Sequence, residues 1–295
     1  MTEGLPPTEG VDEATRGLDR MPTADLVRVL LDAQGRAADA ARSASQAIAR
    51  AADVIAARLR AGGTLHYVGA GTSGRLGALD AAELPPTFGT PPSLARAHIA
   101  GGSSALTAAV EGAEDDAGAA GELDSHIRSG DVVIGISASG SAAYVVTAVE
   151  RAREAGAFTI GITSTPDAAL AGKADLAIVL PTGAEPLAGS TRMVAGTAQK
   201  IVLSALSTAA MIRLGKVYDN LMVDLVATNA KLRRRALRLV RTLCALDDSA
   251  ARELLDAAGG SVKVAVVMQQ RRLDAPAARA LLSSCGDSLR EALES

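Results

Sequence analysis

Five short apolar runs constrain the fold of this chain more than any other feature. They lie at 65–69, 95–100, 132–137, 158–163 and 176–180, and alanine-rich stretches of helical character separate them. Strands that alternate with helices form βαβ units and a parallel sheet. We therefore predict an α/β fold of three layers, in which helices flank a parallel five-stranded sheet. Ligands of such sheets bind beyond the carboxyl ends of the strands.

The remaining segments predict three parts of the chain. Residues 1–22 have no periodic pattern and are expected to form a loose N-terminal arm. A catalytic or binding domain spans 23–228, and it includes a helix-periodic stretch at 23–60 and a long helix at 191–214. A small helical module follows at 229–295. Its helices are predicted at 229–243, 247–257, 262–270, 276–284 and 288–293.

Composition and charge exclude several classes of protein. The acidic, polar start is not a signal peptide, and the longest nearly apolar run, 201–212, is too short to span a bilayer. The net charge is −3, and the basic run at 231–235 is interleaved with leucine and alanine, which is typical of a solvated helix face. We expect a soluble cytoplasmic protein that binds neither membranes nor nucleic acid.

A metal centre or a disulfide framework is not predicted. The histidines, His66, His98 and His126, are not expected to cluster with each other or with Cys244 or Cys285. His66 and His98 fall in predicted strands, where they are expected to be core or pocket-wall residues. No spacing typical of zinc ligands is present.

The loop that follows the first strand is the main candidate site. It reads Gly-Ala-Gly-Thr-Ser-Gly-Arg at 69–75, which formally matches a dinucleotide fingerprint. That fingerprint also requires an acidic residue after the second strand, and the chain has Ala100-Gly101-Gly102 there. Gly71 with the hydroxyls of Thr72 and Ser73, at the start of a helix, suits a phosphomonoester instead.

Two further loops repeat this chemistry. The third strand ends in Ser137-Ala-Ser139-Gly140-Ser141, which offers three hydroxyls and a glycine that lets the backbone approach a ligand. Helix capping by Ser139 or Ser141 is the alternative. The long helix opens with Ser190, Thr191 and Arg192, which are either a plain helix cap or a third wall of the pocket.

Two glutamates are candidates for acid–base catalysis. Glu83 follows the loop by about nine residues, or roughly 12 Å along a helix, which is about the reach of a hexose phosphate. Glu114 belongs to the acidic cluster at 111–116, and such a cluster is more often a solvated helix face. Residue chemistry alone leaves both roles open.

Long blocks of the sequence resemble the N-acetylmuramic acid 6-phosphate etherases of the SIS (sugar isomerase) superfamily. The stretch Tyr-Val-Gly-Ala-Gly-Thr-Ser-Gly-Arg-Leu-Gly-Ala-Leu-Asp-Ala-Ala-Glu-Leu-Pro-Pro-Thr-Phe-Gly at 67–89 carries most of the resemblance. Blocks at 109–116, 186–200, 216–224 and 227–233 extend it over most of the chain.

The resemblance implies a cytoplasmic lyase of cell-wall recycling. Such an enzyme converts N-acetylmuramic acid 6-phosphate into N-acetylglucosamine 6-phosphate and D-lactate by elimination and then hydration, without a metal or an organic cofactor. Glu83 matches the family's acid/base residue, and Glu114 matches its second catalytic carboxylate, a candidate base at C2. The resemblance also implies a homodimer with its sites at the subunit interface.

The sequence departs from the family pattern at one position, and it also allows two rival functions. The family usually reads Ser-Gly-Arg-Thr-Pro where this chain has Ser139-Gly140-Ser141-Ala142-Ala143, so a threonine hydroxyl typical of the phosphate site is missing at 142. Ser141 is its candidate replacement. The rivals are a non-catalytic sugar-phosphate sensor resembling the glucokinase regulatory protein and an aldose–ketose isomerase. A pure sensor has no need of both Glu83 and Glu114.

Overall fold

The five apolar runs form one parallel sheet. The structure is a computed structural model that describes residues 6–227 and 229–295. Its strands are β1 (Leu65–Gly69), β2 (Ala95–Ile99), β3 (Val132–Ile136), β4 (Phe158–Thr163) and β5 (Leu176–Val179), in the order β2-β1-β3-β4-β5. Every residue of β1 and β3 is buried, as expected for central strands covered on both faces. The predicted fold class is confirmed, and the predicted strands differ by at most one residue at an end.

The helices of the first part of the chain lie on both faces of this sheet. They are α1 (Thr23–Ser43), α2 (Ser45–Arg60), α3 (Gly71–Phe88), α4 (Ala143–Glu154), α5 (Ala169–Lys173) and α6 (Val194–Arg213). Successive strand residues point to opposite faces, so Tyr67 faces Gly77 of α3 while Val68 packs in a cluster with α4. The sheet and its two helical faces form the three layers.

Two stretches with a helical pattern are not single α-helices. The predicted helix at 23–60 breaks at Ala44, where the Ser43 hydroxyl donates to the Ala40 carbonyl oxygen and competes with the helical hydrogen bonds. Between β2 and β3 the chain forms three 3₁₀ segments, Ser103–Leu106, Ala113–Asp115 and Gly118–Ser125. Arg75 donates there to the carbonyl oxygens of Ala105 and Ala108, which an α-helix would use internally.

The predicted N-terminal arm is tied down where it is described. Thr8 is buried, and its carbonyl oxygen accepts a hydrogen bond from the Gly189 N–H at 3.2 Å. Arg36 of α1 pairs with Asp12 at 3.1 Å. The arm therefore lies against the segment that precedes α6. Residues 1–5 of the arm lie outside the described residues, as does Thr228, the last residue of the predicted catalytic domain.

The chain divides into two compact units. The first comprises 1–81 and 93–207, and the second comprises 82–92 and 208–295. The second unit contains α7 (Ala230–Cys244), α8 (Asp248–Ala257), α9 (Val262–Arg271), α10 (Ala275–Ser284) and α11 (Leu289–Glu294). Its core is a separate apolar cluster, beside which the buried Lys263 ammonium donates to Asp224 at 2.6 Å. The predicted module boundary at 228/229 falls inside this unit.

Helix length and polarity bear on membrane association. Among residues 6–227 and 229–295, no helix combines the length and the apolar character needed to cross a bilayer. The apolar stretch at 201–212 forms the body of α6, where Val202, Leu203 and Leu206 are buried in the protein. Its apolar residues therefore contribute to packing within the protein.

Replacement of Gly74 by alanine tests how tightly α3 packs on β1. A Cβ at Gly74 would lie 2.6 Å from Ile99 Cγ1 and 2.8 Å from the Gly69 carbonyl oxygen. We expect Gly74→Ala to lower the free energy of unfolding by about 1–3 kcal/mol, measured by urea denaturation. Gly35→Ala, in α1 with open space at its Cβ, is the control and should be neutral or stabilising by about 0.5–1 kcal/mol. Equal effects of the two changes would contradict the prediction.

Candidate active site

The glycines of the first loop bring a helix N-terminus against the end of β1. A Cβ at Gly69 would lie 2.6 Å from the Gly74 nitrogen, and Gly71 has φ +52, a left-handed conformation. The glycine pattern is therefore explained by a tight turn and close packing, without a dinucleotide. The first N–H groups of α3 have no acceptor within the helix, and its positive end is therefore the candidate site for an anion.

The predicted hydroxyl groups of this loop differ in exposure. Thr72 is half-buried, whereas Ser73 is only 8% exposed and its hydroxyl donates to Gln199 Oε1 of α6 at 2.9 Å. Thr72 Cγ2 is 3.4 Å from the position of a Cβ at Gly196. The start of α6 therefore lies directly beside the first loop.

The second loop holds its three hydroxyls together. The Ser141 hydroxyl donates to Ser139 Oγ at 2.9 Å, and the Gly140 N–H donates to Ser137 Oγ at 3.1 Å. Gly140 has φ +68, and a Cβ there would lie 2.6 Å from Thr163 Oγ1. Gly69 pairs with Ile136 in the sheet, so this loop and the first one leave adjacent strands at the same end. Neither Ser139 nor Ser141 is the cap of α4, which begins after Ala142.

The third predicted wall is held by a residue that sequence reasoning missed. Ser190 and Thr191 precede α6, and they do not cap it. The carboxylate of the fully buried Glu185 instead accepts hydrogen bonds from the N–H groups of Val194 and Ala195, both at 2.8 Å. Acidic groups are stabilised at this end of a helix. Glu185 thus fixes the segment that carries Ser190, Thr191 and Arg192, and its position nine residues before the helix gave no local capping signal.

Glu114 shares a cavity with the first loop. Glu114 lies in a 3₁₀ turn, Ala113–Asp115. Ala113, Glu114 and the residues before them line a cavity of about 200 Å³ together with Ala70, Gly71 and Arg75. The two Arg75 hydrogen bonds to the 105–108 backbone hold this segment near the loop. The Glu114 side chain is exposed. The structure therefore brings together two predicted site elements that are about forty residues apart in sequence.

Glu83 lies near the carboxyl end of α3, two residues before Pro85 and Pro86. Its side chain is exposed, and residues 82–92, which include it, belong to the second compact unit. The same helix carries Ser73 in its first turn and Glu83 toward its end. Asp80, one turn before Glu83, is a buried carboxylate that accepts a hydrogen bond from the Tyr67 hydroxyl at 2.6 Å.

The Asp80 network fastens α3 within the first unit. Besides Tyr67, the Ser207 hydroxyl of α6 donates to Asp80 Oδ1 at 3.2 Å. Burial and the adjacent Asp80 charge raise the pKa of Tyr67, which therefore stays protonated and donates to the carboxylate. Residue spacing could not reveal this network, since its members lie on three different elements.

The three histidines form a cluster, so the expectation that they would lie apart is wrong. The parallel pairing of β1 with β2 brings His66 and His98 together. His66 Nδ1 and His98 Nε2 are 3.0 Å apart, and the rings of His98 and His126 are 5.9 Å apart between centroids. His66 Nε2 lies 3.5 Å from Asp131. A cavity of about 320 Å³ adjoins His98 and His126. Within the described ranges, no group of three or more His, Cys, Asp and Glu side chains could hold a metal ion.

Comparison with known proteins identifies first the class and then the family. A family model described as SIS domain matches residues 32–164. Two solved structures share the fold: a Bacteroides fragilis protein assigned as a phosphosugar isomerase of capsule formation, and an Escherichia coli CFT073 protein solved as a ligand complex. Their TM-scores are 0.51 and 0.50, with 20% and 21% identity over 68% of this chain and 95% and 97% of theirs. The match to the SIS domain thus covers residues 32–164, and the fold of the two solved structures agrees with it.

Three closer relatives are named N-acetylmuramic acid 6-phosphate etherase. The Symbiobacterium thermophilum protein is 53% identical over 88% of this chain and 87% of its own length. The Gloeobacter violaceus protein is 49% identical over 97% and 94%, and the Salmonella choleraesuis protein is 45% identical over the full length of both chains. The chain belongs to the N-acetylmuramic acid 6-phosphate etherase family.

The histidine cluster predicts acid sensitivity of the fold. Burial and the neighbouring His66 lower the pKa of His98 to about 4. Burial also lowers the pKa of His66, although the Asp131 carboxylate opposes this shift. His126 and Arg96 lower the pKa of both histidines. The folded state therefore binds these protons at a lower pH than the unfolded state does. The free energy of unfolding consequently decreases as the pH falls from about 6.5 to about 4.

Chemical denaturation at several pH values measures this loss. We expect the His98 contribution to be on the order of 1–3 kcal/mol. His98→Gln should flatten the slope between pH 6.5 and 4, whereas His126→Gln, at an exposed position, should retain most of it. Parallel slopes for the wild type and His98→Gln would refute the assignment.

Proposed function

We propose that this protein cleaves the D-lactyl ether of N-acetylmuramic acid 6-phosphate and releases N-acetylglucosamine 6-phosphate and D-lactate. The observation that carries the proposal is the cavity lined by both Gly71 and Glu114, because a carboxylate beside a helix N-terminus suits acid–base chemistry on a bound anion. Membership in the etherase family supports the identity of the substrate.

The phosphate group is assigned to the loops at the ends of β1 and β3. Gly71, Thr72 and Ser73 offer N–H groups and hydroxyls at the positive end of α3. Ser137, Ser139, Gly140 and Ser141 offer a second set of small donors beyond the adjacent strand. Ser190, Thr191 and Arg192 are assigned to the pocket wall, because the segment that follows them lies beside Thr72.

The chemistry requires two positioned carboxyl groups. In the ring-opened sugar the C1 aldehyde acidifies the C2 proton, and a carboxylate removes it. The bond between C3 and the lactyl oxygen then breaks, and a carboxylic acid protonates the departing lactate. Water adds its hydroxyl to C3 of the unsaturated aldehyde, and C2 regains a proton. We assign the C2 proton to Glu114, and lactate protonation and water activation to Glu83.

The setting of the enzyme is also part of the proposal. The family resemblance supports a homodimer with its sites at the subunit interface, a cytoplasmic location and a role in cell-wall recycling. The reaction as written needs no redox step, so acid–base groups and a bound phosphate suffice for it.

Assay of D-lactate from N-acetylmuramic acid 6-phosphate tests the activity and both glutamates. We expect lactate from the wild type, and a fall in kcat of about 10²–10⁴-fold for Glu83→Gln and for Glu114→Gln, because each change removes an acid–base group. Asp115→Asn changes a neighbouring exposed carboxylate outside the cavity and should retain normal turnover. Ligand binding without lactate would favour the sensor, and interconversion of C1 and C2 would favour the isomerase.

The Ser141 hydroxyl is expected to replace the missing threonine at 142. Ala142 is buried in the cluster around α4, whereas Ser141 is exposed and its hydroxyl has only Ser139 as a partner among the described residues. Ser141→Ala should raise KM about 10- to 100-fold, as expected for the loss of a hydrogen bond to a charged group. Ser104→Ala is the control at another exposed loop serine. An unchanged KM for Ser141→Ala would remove Ser141 from the phosphate site.

A further inference from the structure

We propose that Gln199 belongs to the phosphate site and that its carboxamide and the Ser73 hydroxyl form one hydrogen-bond donor unit for the substrate phosphate. The inference rests on the proposed function and adds a binding residue to it. Gln199 lies in the second turn of α6 and is only 1% exposed. Its Oε1 accepts the Ser73 hydroxyl proton at 2.9 Å.

The Ser73–Gln199 pair has more hydrogen-bond donors than the described residues provide acceptors for. Gln199 Nε2 carries two N–H groups and has no acceptor among the described residues. Rotation of the amide by 180° exchanges its nitrogen and oxygen within the same volume. Nε2 then donates to Ser73 Oγ, which leaves the Ser73 hydroxyl proton without an acceptor. In both orientations the buried pair retains a donor that nothing in the described protein accepts.

An unpaired buried donor lowers the stability of a fold, so binding of an external partner at this pair would stabilise it. The groups around it select the chemistry of that partner. The first N–H groups of α3 lie in the same turn as Ser73, and the helix end is positive. The Thr72 hydroxyl is on the adjacent residue. An oxyanion with several acceptor oxygens satisfies all of these donors at once, and a phosphate dianion has three such oxygens.

The Arg75 guanidinium, two residues after Ser73, is engaged in hydrogen bonds to the backbone. The Arg75 guanidinium donates to the backbone carbonyl oxygens of Ala105 and Ala108 at 2.9 Å each, and these bonds hold the segment before Glu114. The first loop therefore offers the anion neutral donors, namely N–H groups, hydroxyls and the Gln199 amide. A neutral amide in contact with Ser73 is then a substantial part of the affinity.

The chain contains a matched pair for comparison. The Thr197 hydroxyl, also on α6, donates to Gln34 Oε1 at 2.7 Å, which repeats the hydroxyl–amide hydrogen bond of Ser73 and Gln199. Gln34 is half-buried, and its Nε2 is not among the buried groups that lack a partner. Gln34→Met therefore controls for the loss of an equivalent structural hydrogen bond.

Calorimetric binding of inorganic phosphate to the full chain tests the inference without reference to turnover. We expect Gln199→Met to weaken phosphate binding about 10- to 100-fold. Gln199→Glu should weaken it further, because a carboxylate keeps the acceptor for Ser73 but removes the donor and repels the anion. Gln34→Met should bind as the wild type does. In the lactate assay, Gln199→Met should raise the KM for N-acetylmuramic acid 6-phosphate by the same factor. Its kcat should stay within about threefold of the wild-type value.

A double-mutant cycle separates a shared site from a merely structural pair. Ser73→Ala and Gln199→Met should each weaken phosphate binding, and the double variant should be no weaker than the poorer single variant. Phosphate affinity of a folded Gln199→Met within twofold of the wild type overturns the inference. Should Gln199→Met not fold, wild-type phosphate affinity of Gln199→Glu overturns it. A wild type that binds phosphate but releases no lactate refutes the proposed function and leaves the role of Gln199 intact.

Discussion

The close approach of Gly69 and Gly74 is the contact on which the site depends. Any side chain at either position would collide with the backbone of the other, so the N-terminus of α3 can lie directly on the end of β1 only because both residues lack a Cβ. That contact aims the free N–H groups of the helix beyond the sheet. It also sets Ser73 within hydrogen-bond distance of α6.

Buried polar groups then fix the surrounding elements. Glu185 ties the start of α6 to the loop before it, and Asp80 joins α3 to Tyr67 and Ser207. Each carboxylate accepts at least two hydrogen bonds, which offsets the cost of burying its charge. The positions of the candidate donors are therefore set by hydrogen bonds from several elements, and a single cap residue could not set them alone.

Local patterns were sufficient to predict the sheet and the helical module. The strands are short apolar runs bounded by small residues, and the module helices start after caps such as Asn229, Asp247 and Ser261. Tertiary contacts decided the rest. The break at Ala44 has no glycine or proline to mark it, and the segment at 105–108 is held by Arg75, about thirty residues earlier.

The candidate site also combines features that local patterns predict with features that only tertiary contacts determine. Glycines and hydroxyls at strand ends could be recognised from their spacing, and the loops they form lie where the parallel sheet requires. Glu185 and Gln199 could not, because their partners are set by folding and neither belongs to a pattern of its own. The pairing of His66 with His98 likewise follows from the register of β1 with β2, in which His66 aligns with Arg96 and Val68 with His98.

All three histidines of the chain belong to that one cluster, and they are graded in exposure. His126 is exposed, His98 is half-buried and His66 is fully buried. Their imidazole signals in a proton magnetic resonance spectrum would therefore report on a single place, the β2 edge of the sheet. An acylating reagent such as diethyl pyrocarbonate should modify them in that same order, which makes the edge strand a built-in probe of local opening.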